Sequence, residues 1–200
     1  MIKFRYIPYY LLKPFVTAYY FIKFRPTVIG KENIPKKGPI ILCGNHKHVH
    51  DQYNVMTVTH RVVHYMAKDE YFKGKNAWYY KVAQCIPVDR TIHDEYAKSE
   101  ALKVLLDGEA LGIFPEGTRN KTIGTKDEVD LLPFKFGAVS LAKKTNALIV
   151  PFGISGEYTG KKGKLVTRIG KPFSVKDMDL EEANSVLREK ILKLMKNKEK

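Results

Sequence analysis

Two short runs carry residue types able to do chemistry. The first is Asn45-His46-Lys47-His48-Val49-His50-Asp51, alternate histidines closed by a carboxylate. An imidazole bonded through one nitrogen to an acid is held in one tautomer and keeps its other nitrogen basic, so His46 with Asp51 reads as a general base and its orienting acid. The second run is Phe114-Pro115-Glu116-Gly117-Thr118-Arg119, which presents a carboxylate, a hydroxyl and a guanidinium together. A guanidinium grips two oxygens of a phosphate at once, so Arg119 suits an anionic ligand.

Two other readings of the histidine run stand beside the first. His46, His48, His50 and Asp51 have donor types that suit zinc, which would make a metal-dependent hydrolase. They could also be solvated polar residues at a helix start. Spacing alone does not decide, because His64 and Asp69 repeat the His46–Asp51 interval. Geometry favours the first pair. Val62 to Ala67 reads as extended, and at roughly 3.3 Å per residue His64 and Asp69 would sit roughly 16 Å apart. His46 follows Gly44, where the chain can curl and return Asp51 to the ring. Ligand supply weighs against metal: all six histidines lie at or before His93, and the second half adds only carboxylates. A covalent nucleophile finds little support. Gly153-Ile154-Ser155-Gly156 is not a Gly-x-Ser-x-Gly elbow. Cys43 lies in an apolar strand, where a thiol behaves as a small hydrophobe.

These runs need a scaffold, and the pattern supplies one. Ala110-Leu111-Gly112-Ile113 reads as a buried strand ended by Pro115, with Gly117 allowing a tight turn. Strand ends are where open α/β sheets bind ligands. Further strands are expected at Thr27–Gly30, Pro39–Gly44, Val62–Ala67, Cys85–Val88 and Leu148–Pro151, with an edge strand at Lys164–Ile169. Helices are expected at about His50–His60, Asn76–Ala83, His93–Leu106 and Phe136–Lys144, and from Asp179 onward. The third of these, His93–Leu106, reads as amphipathic, with Tyr96, Leu102, Leu105 and Leu106 facing inward. Leu180, Ala183, Leu187, Ile191 and Leu194 form the stripe of the last helix. The alternation predicts an α/β layered domain, a mixed, mostly parallel sheet flanked by helices.

The first 25 residues differ in kind. Aromatic residues from Phe4 to Phe24 alternate with Lys3, Arg5, Lys13 and Lys23, without an acid, and Pro8 and Pro14 cut the segment into short pieces. Rings at headgroup level and cations on an anionic surface make residues 1–25 an amphipathic membrane-interface segment, with residues 26–200 as the catalytic domain. An aromatic helix packed on the domain is the alternative. The whole chain carries 35 Lys and Arg against 21 Asp and Glu, a net charge of +14 that attracts polyanions. Nucleic acid is not the expected partner, since aromatics gather at the N-terminus and no recognition helix rich in Arg and Asn stands out. Two cysteines without an evident pairing fit a reducing compartment. No segment reaches the ~20 apolar residues of a spanning helix, and no secretory signal is evident.

The two runs together resemble the glycerolipid acyltransferase family. Ile86-Pro87-Val88-Asp89-Arg90 looks like the family's second block, whose arginine contacts the substrate phosphate, and Ile149-Val150-Pro151-Phe152-Gly153 resembles its fourth. Lys68-Asp69-Glu70-Tyr71-Phe72 and Leu132-Pro133-Phe134-Lys135-Phe136-Gly137-Ala138 fit the usual context, so the likeness runs from about Thr27 to Phe173. The resemblance implies transfer of an acyl chain from acyl-CoA or acyl-carrier protein to the sn-2 hydroxyl of 1-acylglycerol-3-phosphate (lysophosphatidic acid), without a cofactor. Glycerol-3-phosphate or another lysophospholipid is the alternative acceptor. His46 and Asp51 become the catalytic pair. Arg90, Glu116, Gly117, Thr118 and Arg119 become the substrate-binding set, with Lys68 a further candidate. Glu116 would position Arg119 or the acceptor hydroxyl, and amides near Gly117 would steady an oxyanion. The bland counterparts are Arg90 capping a strand with Asp89, Lys68 as a surface charge, and Glu116 and Arg119 bracing their own loop. His48 stands where the family often has serine or a small residue, His50 is also atypical, and Lys121 to Asp130 adds length to a loop. The likeness to compact bacterial members implies a monotopic or peripheral place on an anionic membrane, at its cytoplasmic face.

Overall fold

Buried apolar strands alternate with helices along the chain: α1 (Ile7–Phe24), β1 (Thr27–Ile29), β2 (Ile40–Gly44), α2 (Tyr53–Met56), β3 (Val63–Lys68), α3 (Ala77–Val82), β4 (Ile86–Val88), α4 (Glu95–Leu106), β5 (Ala110–Ile113), α5 (Gly137–Thr145), β6 (Leu148–Gly156), β7 (Leu165–Ile169) and α6 (Leu180–Lys196). The computed structural model describes residues 3–89, 91–92, 94–121 and 131–196. The strands form a seven-stranded sheet in the order β1-β7-β6-β2-β5-β3-β4. Neighbours are parallel except β6 and β7.

Strand β2 lies at the centre and is buried at every position. Its residues serve two layers by the period of two. Ile41 and Cys43 pack with α4, α5 and α6 through Ala97, Ala101, Val139, Leu187 and Ile191. Ile40 and Leu42 join the opposite layer with Tyr9, Tyr20 and Phe24 of α1 and Val55 of α2. Such two-sided burial is what a mostly parallel sheet requires.

Several elements differ from the sequence expectation, each for a physical reason. The N-terminal segment is one helix rather than pieces. Pro8 sits in its first turn, where a missing N–H is no loss, and the helix continues through Pro14. Buried Tyr9, Tyr20 and Phe24 supply the packing that offsets that proline. The helix expected over His50–His60 is only Tyr53–Met56, because turns around the histidine run occupy the preceding residues. Helix α4 buries Ala97, Ala101, Val104 and Leu105, while Tyr96 and Leu106 are exposed. Small residues let α4 approach closely, and the larger neighbours turn outward. The start of that expected helix, at His93, lies outside the described residues. Asp94 caps it instead, its Oδ1 accepting from Ala97 N at 2.8 Å. Strand β7 is not an edge, since β1 pairs beyond it. Strand β6 runs past Pro151 to Gly156. In α6, Met195 takes the inward place expected of Leu194, and Leu180 is partly exposed.

The start of α1 is tied to the turn before β5. Glu109 accepts from Lys3 Nζ at 2.5 Å and from Tyr6 Oη, and pairs with His64 Nε2 at 2.8 Å. Burial pushes this carboxyl up, but those hydrogen bonds outweigh it and hold it at about 2. A carboxyl so depressed stabilises the fold above its ordinary pKa, and that stabilisation is lost as pH falls toward 2.

Gly44 closes β2 immediately before the histidine run, and its lack of a side chain is required. A Cβ there would lie 2.2 Å from the ring of Phe152. Gly44→Ala is expected to destabilise by about 1–3 kcal/mol, the usual range for overpacking. Gly74, with nothing near its missing Cβ, is the control. Thermal denaturation should show a drop of several degrees for the first substitution and little for the second.

Candidate active site

Parallel pairing brings the two chemical runs together. Cys43 stands opposite Ile113 in register, so the loops after β2 and β5 leave the sheet side by side. Strand β3 ends at the same edge, with Lys68 opposite Val88 of β4. The side chain of Asn45 starts the β2 loop by bridging to β6: Oδ1 accepts from Ile154 N at 2.7 Å and Nδ2 donates to Ile154 O at 3.0 Å.

The loop then curls, and His46 Nδ1 meets Asp51 Oδ2 at 2.8 Å. The same oxygen accepts from the backbone N–H groups of Lys47 at 2.6 Å and His48 at 2.7 Å. Oδ1 accepts from Tyr158 Oη at 2.6 Å. Asp51 is fully buried. A buried carboxylate surrounded by donors acts as an acceptor only, so the shared proton sits on Nδ1 of His46 and Nε2 is left as a base. Phe114 fixes the plane of that ring, stacking on it at 4.2 Å with 12° between planes. The second His–Asp interval separates: Asp69 pairs with Lys73 at 2.6 Å, and His64 with Glu109 and with Gln84 O.

Glu116 turns inward rather than pairing with Arg119. Its Oε1 accepts from His46 N at 2.8 Å, and Oε2 accepts from Leu132 N at 3.0 Å and Asn120 Nδ2 at 3.1 Å. Asn120 N donates to His46 O at 2.6 Å, so the peptide groups on both sides of His46 are held by the β5 loop. Burial pushes the Glu116 carboxyl upward, against the pull of those donors. Gly117 has φ of +69°, and its N–H donates to Phe114 O at 2.9 Å. That amide closes the turn and is not free for an oxyanion. A Cβ on Gly117 would sit 2.9 Å from Lys135 Cε, which also favours glycine.

Thr118 and Arg119 follow on the exposed side of the turn. Among the described residues the Arg119 guanidinium has no hydrogen-bond partner, yet it lies near enough to His48 to oppose that ring's protonation. Lys68 is partly exposed, 4.0 Å from Glu70 and without a contact to the His46–Asp51 pair. Arg90, two positions beyond the end of β4, lies outside the described residues, as does most of the loop after Lys121.

The other two histidines of the run are packed by rings. His48 stacks on Tyr158 at 4.1 Å, and His50 lies 5.1 Å from Phe24. Burial holds both below the ordinary imidazole range. Among the described residues no three His, Cys, Asp or Glu side chains converge as metal ligands would. Burial pushes the Cys43 thiol far up, away from nucleophilic use. A cavity of about 320 Å³, lined by Phe15, Val16, Tyr19, Tyr20, Tyr53 and Tyr79, opens beside His50.

Sequence reasoning misses Tyr158 and Asn54. Asn54 Nδ2 donates to Tyr158 Oη at 2.7 Å, and Tyr20 Oη of α1 donates to Asn54 Oδ1 at 2.7 Å. Tyr158 stands 107 positions from Asp51, so spacing carries no signal of it.

Residues 25–155 match the family model described as Acyltransferase. The chain is 34% identical over 158 residues to the 1-acyl-sn-glycerol-3-phosphate acyltransferase of Bacillus subtilis (strain 168), covering 75% of this chain and 74% of that protein. It is 30% identical over 171 residues to the protein of the same name from Saccharomyces cerevisiae, covering 76% of this chain and 52% of the yeast protein. The crystal structure of the 1-acyl-sn-glycerophosphate (LPA) acyltransferase of Thermotoga maritima superposes with a TM-score of 0.71 at 25% identity, covering 92% of this chain and 75% of that one.

Proposed function

The chain belongs to the acyltransferase family, and from that premise we propose that it moves an acyl group from a thioester to the sn-2 hydroxyl of 1-acyl-sn-glycerol-3-phosphate, forming phosphatidic acid. The observation that carries the reading is the buried Asp51, whose partners all donate and which thereby leaves His46 Nε2 basic. As the acceptor oxygen attacks the thioester carbonyl, Nε2 takes the hydroxyl proton. The C–S bond then breaks, and the departing thiolate receives that proton from the imidazolium. Asp51 stabilises the imidazolium between the two transfers. Both substrates meet in one site, so no acyl-enzyme is required.

Arg119 grips the acceptor phosphate from the exposed side of the β5 loop, and Arg90 assists. Gly117 and Thr118 shape that turn. Lys68 at the end of β3 adds positive charge nearby. The apolar cavity beside His50 favours an acceptor that already carries an acyl chain over bare glycerol-3-phosphate. The donor is acyl-CoA or acyl-carrier protein, both anionic and suited to a chain of net charge +14.

The protein works from a bilayer surface, on the cytoplasmic face, with residues 1–25 as its contact. Leu11, Phe15, Tyr19 and Ile22 fall in one stripe of α1 and are 55–76% exposed, opposite the side that packs on the sheet. No helix among the described residues is long and apolar enough to cross a membrane.

The test is direct. Purified protein is offered lysophospholipids and glycerol-3-phosphate with each donor, and products are read by mass spectrometry. Phosphatidic acid from lysophosphatidic acid is expected, and absence of any acylated product with every pairing rejects the reading. Arg119→Lys should raise the KM for the phosphate-bearing acceptor about 5–10-fold with kcat little changed, since an ammonium lacks the two-pronged fork. Initial rates across acceptor concentration check this, and an unchanged KM removes Arg119 from the phosphate site.

A further inference from the structure

Beyond the paired His46 and Asp51 lies a string of side chains that the chemistry above leaves without a role. Asp51 Oδ2 already receives three donors, from His46, Lys47 and His48. Its Oδ1 receives the Tyr158 hydroxyl at 2.6 Å. Among the described residues Tyr158 is the donor that fixes the rotation of this carboxylate from its far side.

The polarity of the string is determined by its ends. The backbone carbonyl of Asp51 can only accept, and Asn54 Nδ2 donates to it at 3.2 Å. Nδ2 therefore faces Tyr158 as well and donates to its oxygen at 2.7 Å. The Tyr158 proton is thereby directed to Asp51. Asn54 Oδ1 is left to accept, and Tyr20 of α1 supplies the hydroxyl at 2.7 Å. Burial and the adjacent Asp51 charge push the Tyr158 hydroxyl far up, so it remains a donor wherever the enzyme works. Its ring is clamped by His48 at 4.1 Å and by Phe24 edge-on at 5.3 Å. This gives the atypical His48 a place: it packs the residue that holds the acid.

We propose that Tyr158 is a positioning residue for the general base, orienting Asp51 through its hydroxyl, and that Asn54 and Tyr20 hold Tyr158 in that role. The inference rests on the His46–Asp51 reading given above. Without the Tyr158 hydroxyl the carboxylate has a buried, unpaired oxygen and is free to rotate away from Nδ1. It also becomes more basic, so the imidazolium it faces is stabilised and the working base protonates at higher pH. Besides Asp51, His48 and Glu116 lie within electrostatic reach of His46, and Lys47 and Arg119 lie within reach of His48. None of these is altered by Tyr158→Phe.

The experiment compares Tyr158→Phe, Tyr20→Phe and His46→Ala in one acyl-transfer assay with lysophosphatidic acid, over a range of pH. Tyr158→Phe keeps the ring and its stack on His48. It should lower kcat about 10-fold, leave the acceptor KM within about twofold, and move the acidic limb of the rate profile about half a unit toward alkaline. Tyr20→Phe should shift both readings the same way by less, and the double variant should be no worse than Tyr158→Phe, as members of one network behave. An inactive His46→Ala beside a Tyr158→Phe with wild-type kcat and pH profile overturns the inference and leaves the base assignment standing. A fully active His46→Ala overturns both. Where Tyr158→Phe does not fold, Tyr20→Phe decides: an unmoved kcat and acidic limb reject the network.

Discussion

His46→Ala is expected to abolish measurable acyl transfer while the protein stays folded. The expectation follows from the tautomer that the surroundings enforce. Asp51 accepts from every polar partner around it, so the imidazole holds its proton on Nδ1 and, in the mechanism proposed above, offers Nε2 to the acceptor hydroxyl. Alanine has no such lone pair, and water in its place is neither positioned nor tuned. Loss of a positioned general base costs about 10²–10⁴ in kcat. The fold should hold because the ring is partly exposed and its main packing partner, Phe114, keeps other aromatic neighbours in Tyr65 and Phe152. The measurement is kcat alongside circular dichroism and a melting curve. Wild-type turnover from a folded variant rejects His46 as the base.

Asp51→Asn is expected to lose nearly as much, by a different route. An amide has one acceptor and one donor where the carboxylate has two acceptors. If its oxygen faces Lys47 N, His48 N and His46, its NH₂ faces the Tyr158 hydroxyl, and the Tyr158 proton then has no acceptor. If it faces the other way, NH₂ meets His46 Nδ1, and the ring must move its proton to Nε2. That second tautomer presents an N–H to the hydroxyl and has no base to offer. The same change behind other catalytic histidines lowers kcat about 10⁴-fold, mainly through the wrong tautomer. Rates should therefore collapse with little change in acceptor KM, and ¹⁵N spectra of the His46 ring should report the altered proton. A variant with normal kcat would show that the acid plays no part in the chemistry.

Much of this was readable from residue order. The strand ending at Gly44 and the strand ending at Ile113 both announce themselves as apolar runs closed by Gly or Pro, and parallel pairing then forces their loops together. His64 and Asp69 take separate partners because an extended strand cannot return on itself within five residues. What local pattern does not carry is which way a polar side chain faces. Glu116 reads as a partner for the exposed Arg119, yet backbone donors of His46 and Leu132 draw it inward. The orientation of α4 is set by small residues that fit the sheet, which a count of leucines overlooks. Tyr158 reaches Asp51, and Tyr20 reaches Asn54, only through the closed tertiary fold, so sequence spacing does not display their role. Helix α1 passes over Pro14 because its aromatic side is paid for by core packing that the segment alone does not display.

That helix belongs to two surroundings at once. One stripe of α1 lies open, while Tyr9, Tyr20 and Phe24 are buried in the core. Removing a single large aromatic from a core costs about 3–5 kcal/mol, and a domain typically has only about 5–15 to lose. The leading segment is therefore no detachable tether. Under the bilayer contact proposed above, selection that reshapes its outer stripe for a different lipid must leave its inner stripe intact, so surface preference and catalytic integrity are inherited on one and the same helix.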